Sequence, residues 1–183
     1  SPHCLKIGEK LPPVPRLGLT FTLPKDFTEV TWYGMGPWEN YSDRAKGALL
    51  GIYSAKVDLV SGIADGTGTI TYPENRLNPD NYSEPGEQGY RTGCRWMKLS
   101  NGKRTVKITA VSAPFGFNVW PYSQEALDKA HHQWDLKKGD NVTVNIDLRQ
   151  MGVGGDDSWG SRAHADDMIG AGTYECSFVV EGL

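Results

Sequence analysis

Val142, Val144, Ile146 and Leu148 fall on alternate positions, with polar residues between them. Successive side chains of an extended strand point to opposite faces, so this spacing describes a strand with one apolar and one polar face. A helix would instead bring apolar residues together three and four positions apart. The same alternation recurs in Leu17, Leu19, Phe21 and Leu23, in Val106, Ile108 and Ala110, in Phe115, Phe117 and Val119, and in Tyr174, Cys176, Phe178 and Val180. Residues 28–35, with Val30 and Trp32 on one face, residues 47–58, ending near Val57, and residues 90–99 are further strand candidates. A chain so dominated by short period-2 segments buries its apolar faces by stacking sheets. Eight or nine strands and one short helix predict an all-β fold, an antiparallel β-sandwich.

The punctuation agrees. The chain has 22 Gly and 11 Pro, and Ser100-Asn101-Gly102 is a turn signal between two strand candidates. Ser123 can N-cap the helix and Glu125 suits its first turn; the helix is expected to run to about His131, with His131 and His132 favoured at its C-terminal end. Residues 61–89 are rich in Gly, Pro, Asn and Asp and form a long loop or an insertion with a short hairpin. A chain of 183 residues suits one domain. Residues 1–14 read as an irregular lead-in and residues 15–183 as the sandwich.

Charge and cysteine content exclude several classes. A net charge of −3 argues against a nucleic-acid binder, which needs a basic face to neutralise phosphates. No apolar run approaches the roughly 20 residues of a membrane helix. Cys4, Cys94 and Cys176 are too few for a disulfide scaffold, and Cys94 and Cys176 read as small apolar strand residues rather than a bridge. Sequons at Asn40, Asn81 and Asn141 carry no weight, since such triplets arise often by chance.

Residues 151–160, MGVGGDDSWG, directly follow the clearest strand. Glycines allow a tight backbone that can push a side chain to a rim. An exposed Trp159 could pack its ring on the apolar face of a pyranose while Asp156 and Asp157 accept hydrogen bonds from hydroxyls. Covering about 60 Å² of apolar surface is worth roughly 1.5 kcal/mol, about tenfold in affinity. The competing reading folds Trp159 into the core beneath a glycine turn. No helix pattern follows these glycines, and two carboxylates would repel phosphate, so this is not a phosphate loop. Asp156, Asp157, Asp166 and Asp167 do not match the EF-hand spacing, and no metal site is assigned. Ser158 has no His at motif spacing and is not a nucleophile.

Residues 34–44, GMGPWENYSDR, mix turn residues with Glu39, Asn40, Asp43 and Arg44. Glu39 and Asp43 are a conceivable carboxyl pair of the kind a retaining glycosidase needs, about 5–5.5 Å apart. The favoured reading is a polar network in which Arg44 pairs with Glu39 or Asp43 and pins a loop. A sugar epimerase would want a His beside a carboxylate. Adjacent His131 and His132 on a helix point about 100° apart and make no shared site.

Five segments, PRLGLTFTLP (15–24), WYGMGPWENYSDR (32–44), GEQGYRTGCRW (86–96), PYSQEALDKAHH (121–132) and MGVGGDDSW (151–159), together resemble the C-terminal part of family 2 β-galactosidases. They appear in that family's order and span nearly the whole chain after residue 15. The resemblance implies a galactose mutarotase-like supersandwich and a bacterial-type parent enzyme, cytoplasmic or periplasmic, that hydrolyses terminal β-galactosides with retention. It implies that Trp159 helps bind the sugar and its aglycone. Asp156, Asp157 and Ser158 are read beside it as substrate-binding residues that shape its loop, and Glu39, Asn40, Arg44, Gly154 and Gly155 as loop scaffold. It places the catalytic glutamates in a (β/α)₈ barrel of the parent, so this chain has no catalytic residue. It needs no cofactor of its own, and any Mg or Na belongs to that catalytic domain. The partners implied are the galactoside and the barrel.

The family's usual N-terminal motif of this domain, W/F-R-A-P-x-D-N-D, is missing, so the chain is expected to start partway into the domain. An edge left bare that way invites pairing with another copy, a homo-oligomer. Residues 61–84 are longer than the family norm. The rival readings are a free-standing galactose-binding module and a mutarotase-like epimerase.

Overall fold

A computed structural model describes residues 3–8, 12–57, 89–132, 135–157 and 159–183. Most of the expected loop at 61–89 lies outside the described residues, as do Ser158 and Asn81. Two antiparallel sheets face each other. The first has the order β2 (Arg16–Pro24), β9 (Asn141–Gln150), β8 (Phe115–Trp120), β5 (Arg91–Cys94). The second has the order β11 (Phe178–Gly182), β7 (Thr105–Ala110), β6 (Trp96–Ser100), β3 (Glu29–Gly36), β4 (Leu49–Lys56). The fold is the expected all-β sandwich.

The core lies between the sheets. Val30 and Trp32 of β3, Met97 and Leu99 of β6 and Ile108 of β7 meet Phe117 and Val119 of β8 and Val142, Val144 and Ile146 of β9. Trp32 meets Phe117 edge-on at 5.7 Å between ring centres, and the Arg91 guanidinium covers Trp32 at 5.5 Å. Each large side chain removed from water here contributes about 1.5–3 kcal/mol.

The alternation assigned the apolar face of β9 correctly but left its other face in water. Thr143, Asn145 and Asp147 are buried as well. Asn145 and Asp147 are satisfied laterally. Thr20 Oγ1 donates to Asn145 Oδ1 (2.6 Å), Asn145 Nδ2 donates to Asn118 Oδ1 (2.7 Å), and Arg16 Nε donates to Asp147 Oδ2 (2.9 Å). Buried polar groups persist when paired in this way.

Two single strands of the sequence reading are each two strands. Residues 90–99 divide at Arg95, where the chain leaves β5 of one sheet and enters β6 of the other. Gly93, at φ +63°, sits in the irregular register of β5 just before that crossing. Residues 174–180 divide at Ser177: β10 (Gly172–Cys176) pairs with β1 (His3–Ile7), and β11 pairs with β7. The lead-in is thus not wholly irregular, because His3–Ile7 finds a strand about 170 residues later. Cys94 and Cys176 are free; Cys94 is buried, but Cys176 is only half-buried.

The helix α1 (Gln124–Lys129) begins where expected, with Ser123 Oγ accepting from Ala126 N at 3.1 Å. It stops earlier. Ala130 is its C-cap, and the amides of His131 and His132 donate to Asp135 Oδ2. The two histidines therefore lie beyond the helix rather than in its last turn. At the far edge, β4 exposes Leu49, Leu50 and Ile52.

Candidate functional site

Two loops meet at one end of the sandwich. The first follows β3. Its Asn40 is fully buried and ties its own loop to residues 90–92. Asn40 Oδ1 accepts from Thr92 N (2.8 Å) and from Thr92 Oγ1, Asn40 Nδ2 donates to Trp38 O (2.9 Å), and Asn40 N donates to Tyr90 O (2.8 Å). Glu39 has one carboxylate oxygen on the Arg44 guanidinium and the other on Gly89 N at 2.9 Å. Arg44 also lies over the Tyr41 ring, 5.8 Å from its centre. Glu39 and Asp43 are both committed to structural partners.

Asp43 reaches across to the second loop. Its Oδ2 accepts from Gly154 N at 2.7 Å. The glycines at 152 and 154 make room for it: a Cβ at Gly152 would stand 2.5 Å from Asp43 Oδ2. Gly155 is pressed against the returning limb, where a Cβ would meet Ser161 O at 2.2 Å. Asp157 turns the tip. Its Oδ1 accepts from Trp159 N (2.8 Å) and Ser161 N (3.3 Å), an Asx-type turn, and Gly160 follows at φ +120°. Trp159 N foremost, then the Ser161 side chain and amide, hold the Asp157 carboxyl below its usual pKa. The base of the loop is tied by Gly152 N donating to Asp167 O at 2.8 Å.

This loop lifts Trp159 into solvent, where it is 93% exposed. That value decides between the two sequence readings, since a core tryptophan would be buried. Beside the loop lies an open cleft of about 820 Å³, lined by Ser42, Asp43, Arg44, Ala45, Lys46, Gly154, Gly155, Asp156, His164 and Asp167. Carboxylates, cations and backbone amides alternate around it, a lining suited to a polyhydroxylated ligand.

His164 was not singled out from sequence. Its Nε2 lies 2.8 Å from Asp156 Oδ1, and that carboxylate, with Asp167 and Asp166 adding to it, raises the imidazole pKa. Eight residues separate the partners, and neither lies in a helix or strand whose period would bring them together. No group of three or more His, Cys, Asp or Glu side chains arranged to hold a metal ion occurs among the described residues.

An antiparallel sandwich that carries an exposed tryptophan on a glycine loop is a domain-type module. The β-galactosidase small chain family matches it over residues 3–61 and 76–180, and the chain belongs to that family. It is 36% identical over 178 residues to a β-galactosidase of Halalkalibacterium halodurans, covering 96% of this chain and 16% of that protein. It is 32% identical over 177 residues to a β-galactosidase of Priestia megaterium, covering 96% of this chain and 15% of that protein. It is 37% identical over 165 residues to a β-galactosidase of Vibrio cholerae, covering 90% of this chain and 14% of that protein. The chain thus spans about one sixth of the length of these relatives.

Proposed function

We propose that this chain is the part of a β-galactosidase that completes the sugar and aglycone side of the active site, with Trp159 as the aromatic platform. The observation that carries this reading is the near-complete exposure of Trp159 on a loop held from below by Asp43 and Asp157. An aromatic ring offers a large contact face while leaving only two side-chain torsions to be ordered on binding. Asp156 is 81% exposed at its side chain and lines the cleft, where it can accept from sugar hydroxyls.

The chemistry belongs to the parent: double displacement by two glutamates in its barrel, retaining the anomeric configuration. The chain alone is then inactive. Its residues orient substrate and exclude water beside the reacting bond. The bare apolar edge of β4 suits a covering layer from the parent or a second copy.

The test is Trp159→Ala in the native protein that carries this chain. KM for a β-galactoside is expected to rise about tenfold, with a smaller change in kcat. Unchanged KM and kcat would sink the assignment. Saturable galactose binding by the 183-residue chain alone would instead favour a free-standing binding module. The exposed His164–Asp156 pair gives a mutarotase-like epimerase its acid–base groups, and polarimetry of galactose anomerisation distinguishes that reading.

A further inference from the structure

The loop that carries Trp159 leaves the sandwich near Gly152 and returns at His164. Between those points it is held at three places that differ in kind. Asp43 binds Gly154 N on the outgoing limb, and Asp157 binds the amides of Trp159 and Ser161 at the tip. The third joins two side chains across the limbs: His164 Nε2 to Asp156 Oδ1, 2.8 Å, both side chains largely exposed. Asp156 directly precedes Asp157, the residue that turns the tip. A displaced Asp156 therefore displaces the carboxylate on which the Trp159 and Ser161 amides rest.

We propose that His164 is a positioning residue, whose bond to Asp156 clasps the two limbs of the loop and sets the orientation of Trp159. This rests on the reading of Trp159 as a sugar platform only for its kinetic consequence. The clasp itself is a statement about the loop. An exposed neutral bond is weak, but a charged imidazole against a carboxylate is a stronger one. The groups that face His164 are mostly acidic: Asp156 as direct partner, with Asp166 and Asp167 nearby. Asp43, Arg44 and Lys46 line the same cleft, so cations and carboxylates both border it. The carboxylates dominate at the ring, which favours the protonated form and with it the closed clasp. A group whose folded pKa is raised stabilises its bonded state below that pKa and loses the contribution as pH rises through it. The clasp therefore loosens on the alkaline side.

The experiment compares wild type, His164→Ala, His164→Gln and Trp159→Ala in the native protein that carries this chain. Amide hydrogen exchange over residues 152–164 is read beside KM and kcat across about pH 5–9. His164→Ala is expected to speed exchange of the Trp159 and Ser161 amides about threefold to tenfold and to raise KM severalfold, with kcat within about twofold. His164→Gln keeps a donor toward Asp156, restores slow exchange and abolishes the alkaline loosening. Unchanged exchange in His164→Ala overturns the clasp, whatever the kinetics do. Faster exchange with KM unchanged in both alanine variants upholds the clasp and removes the sugar reading. Faster exchange with KM raised in Trp159→Ala but not in His164→Ala overturns the claim that the clasp orients the ring.

Discussion

The carboxylate of Asp43 accepts a 2.7 Å hydrogen bond from the backbone of Gly154, 111 residues further along the chain. It joins the loop after β3 to the loop after β9. The glycines on either side of Val153 make that approach possible, since a Cβ at Gly152 would collide with the same carboxylate. A glycine-rich segment that looks designed for freedom is in fact narrowed by what packs against it.

Asp43→Ala removes the acceptor and leaves Gly154 N–H to water. The Gly154 amide is expected to exchange about tenfold faster, corresponding to a charge-assisted bond worth about 1.4 kcal/mol. Asp43→Asn retains a carbonyl oxygen and should recover part of the protection. Equal exchange at Gly154 in wild type and Asp43→Ala would show that the bond does not hold the loop.

Asn40→Ala removes the side-chain oxygen that accepts from the half-buried Thr92 amide and hydroxyl, and the donor to Trp38 O. Leaving such groups unpaired costs about 3 kcal/mol. Urea denaturation should show a lower midpoint with an unchanged slope. A midpoint within error of wild type would mean that water or a shifted side chain satisfies Thr92.

Asp147 gives a pH signature. Burial, opposed by Arg16, pushes its pKa from 3.8 up to about 6. The folded state then binds the proton more tightly than the unfolded chain. The stabilisation is complete below pH 3.8 and is lost as pH rises through about 6. Wild type should lose about 2 kcal/mol relative to Asp147→Asn between pH 4 and pH 7. Chemical denaturation of both proteins at the two pH values measures it, and a difference independent of pH contradicts the assignment.

Much of this was legible in the residues. Alternation located β2, β3, β7, β8 and β9, and Ser123 marked the start of α1, because face and cap are local properties of the backbone. That Arg44 pins a loop through a nearby carboxylate was legible too, but its partner was left open between Glu39 and Asp43, and the structure selects Glu39. Gly-rich spacing around Trp159 pointed to a rim. It left open whether the ring faces in or out, and only the packed structure, with the ring in solvent, decided that.

What the sequence by itself determined is therefore the face of each strand and the places where the chain can turn. Tertiary structure decided the rest. It assigned strands to sheets, splitting residues 90–99 at Arg95 and residues 174–180 at Ser177, because period-2 spacing is blind to which neighbour a strand pairs with. It recruited His3–Ile7 into a strand through a partner about 170 residues away. It buried the polar face of β9, because a second layer of contacts, invisible to local pattern, satisfies Asn145 and Asp147. And it brought Asp43 to Gly154 and His164 to Asp156, since side chains that share no local period meet only when loops are closed by the sheets beneath them.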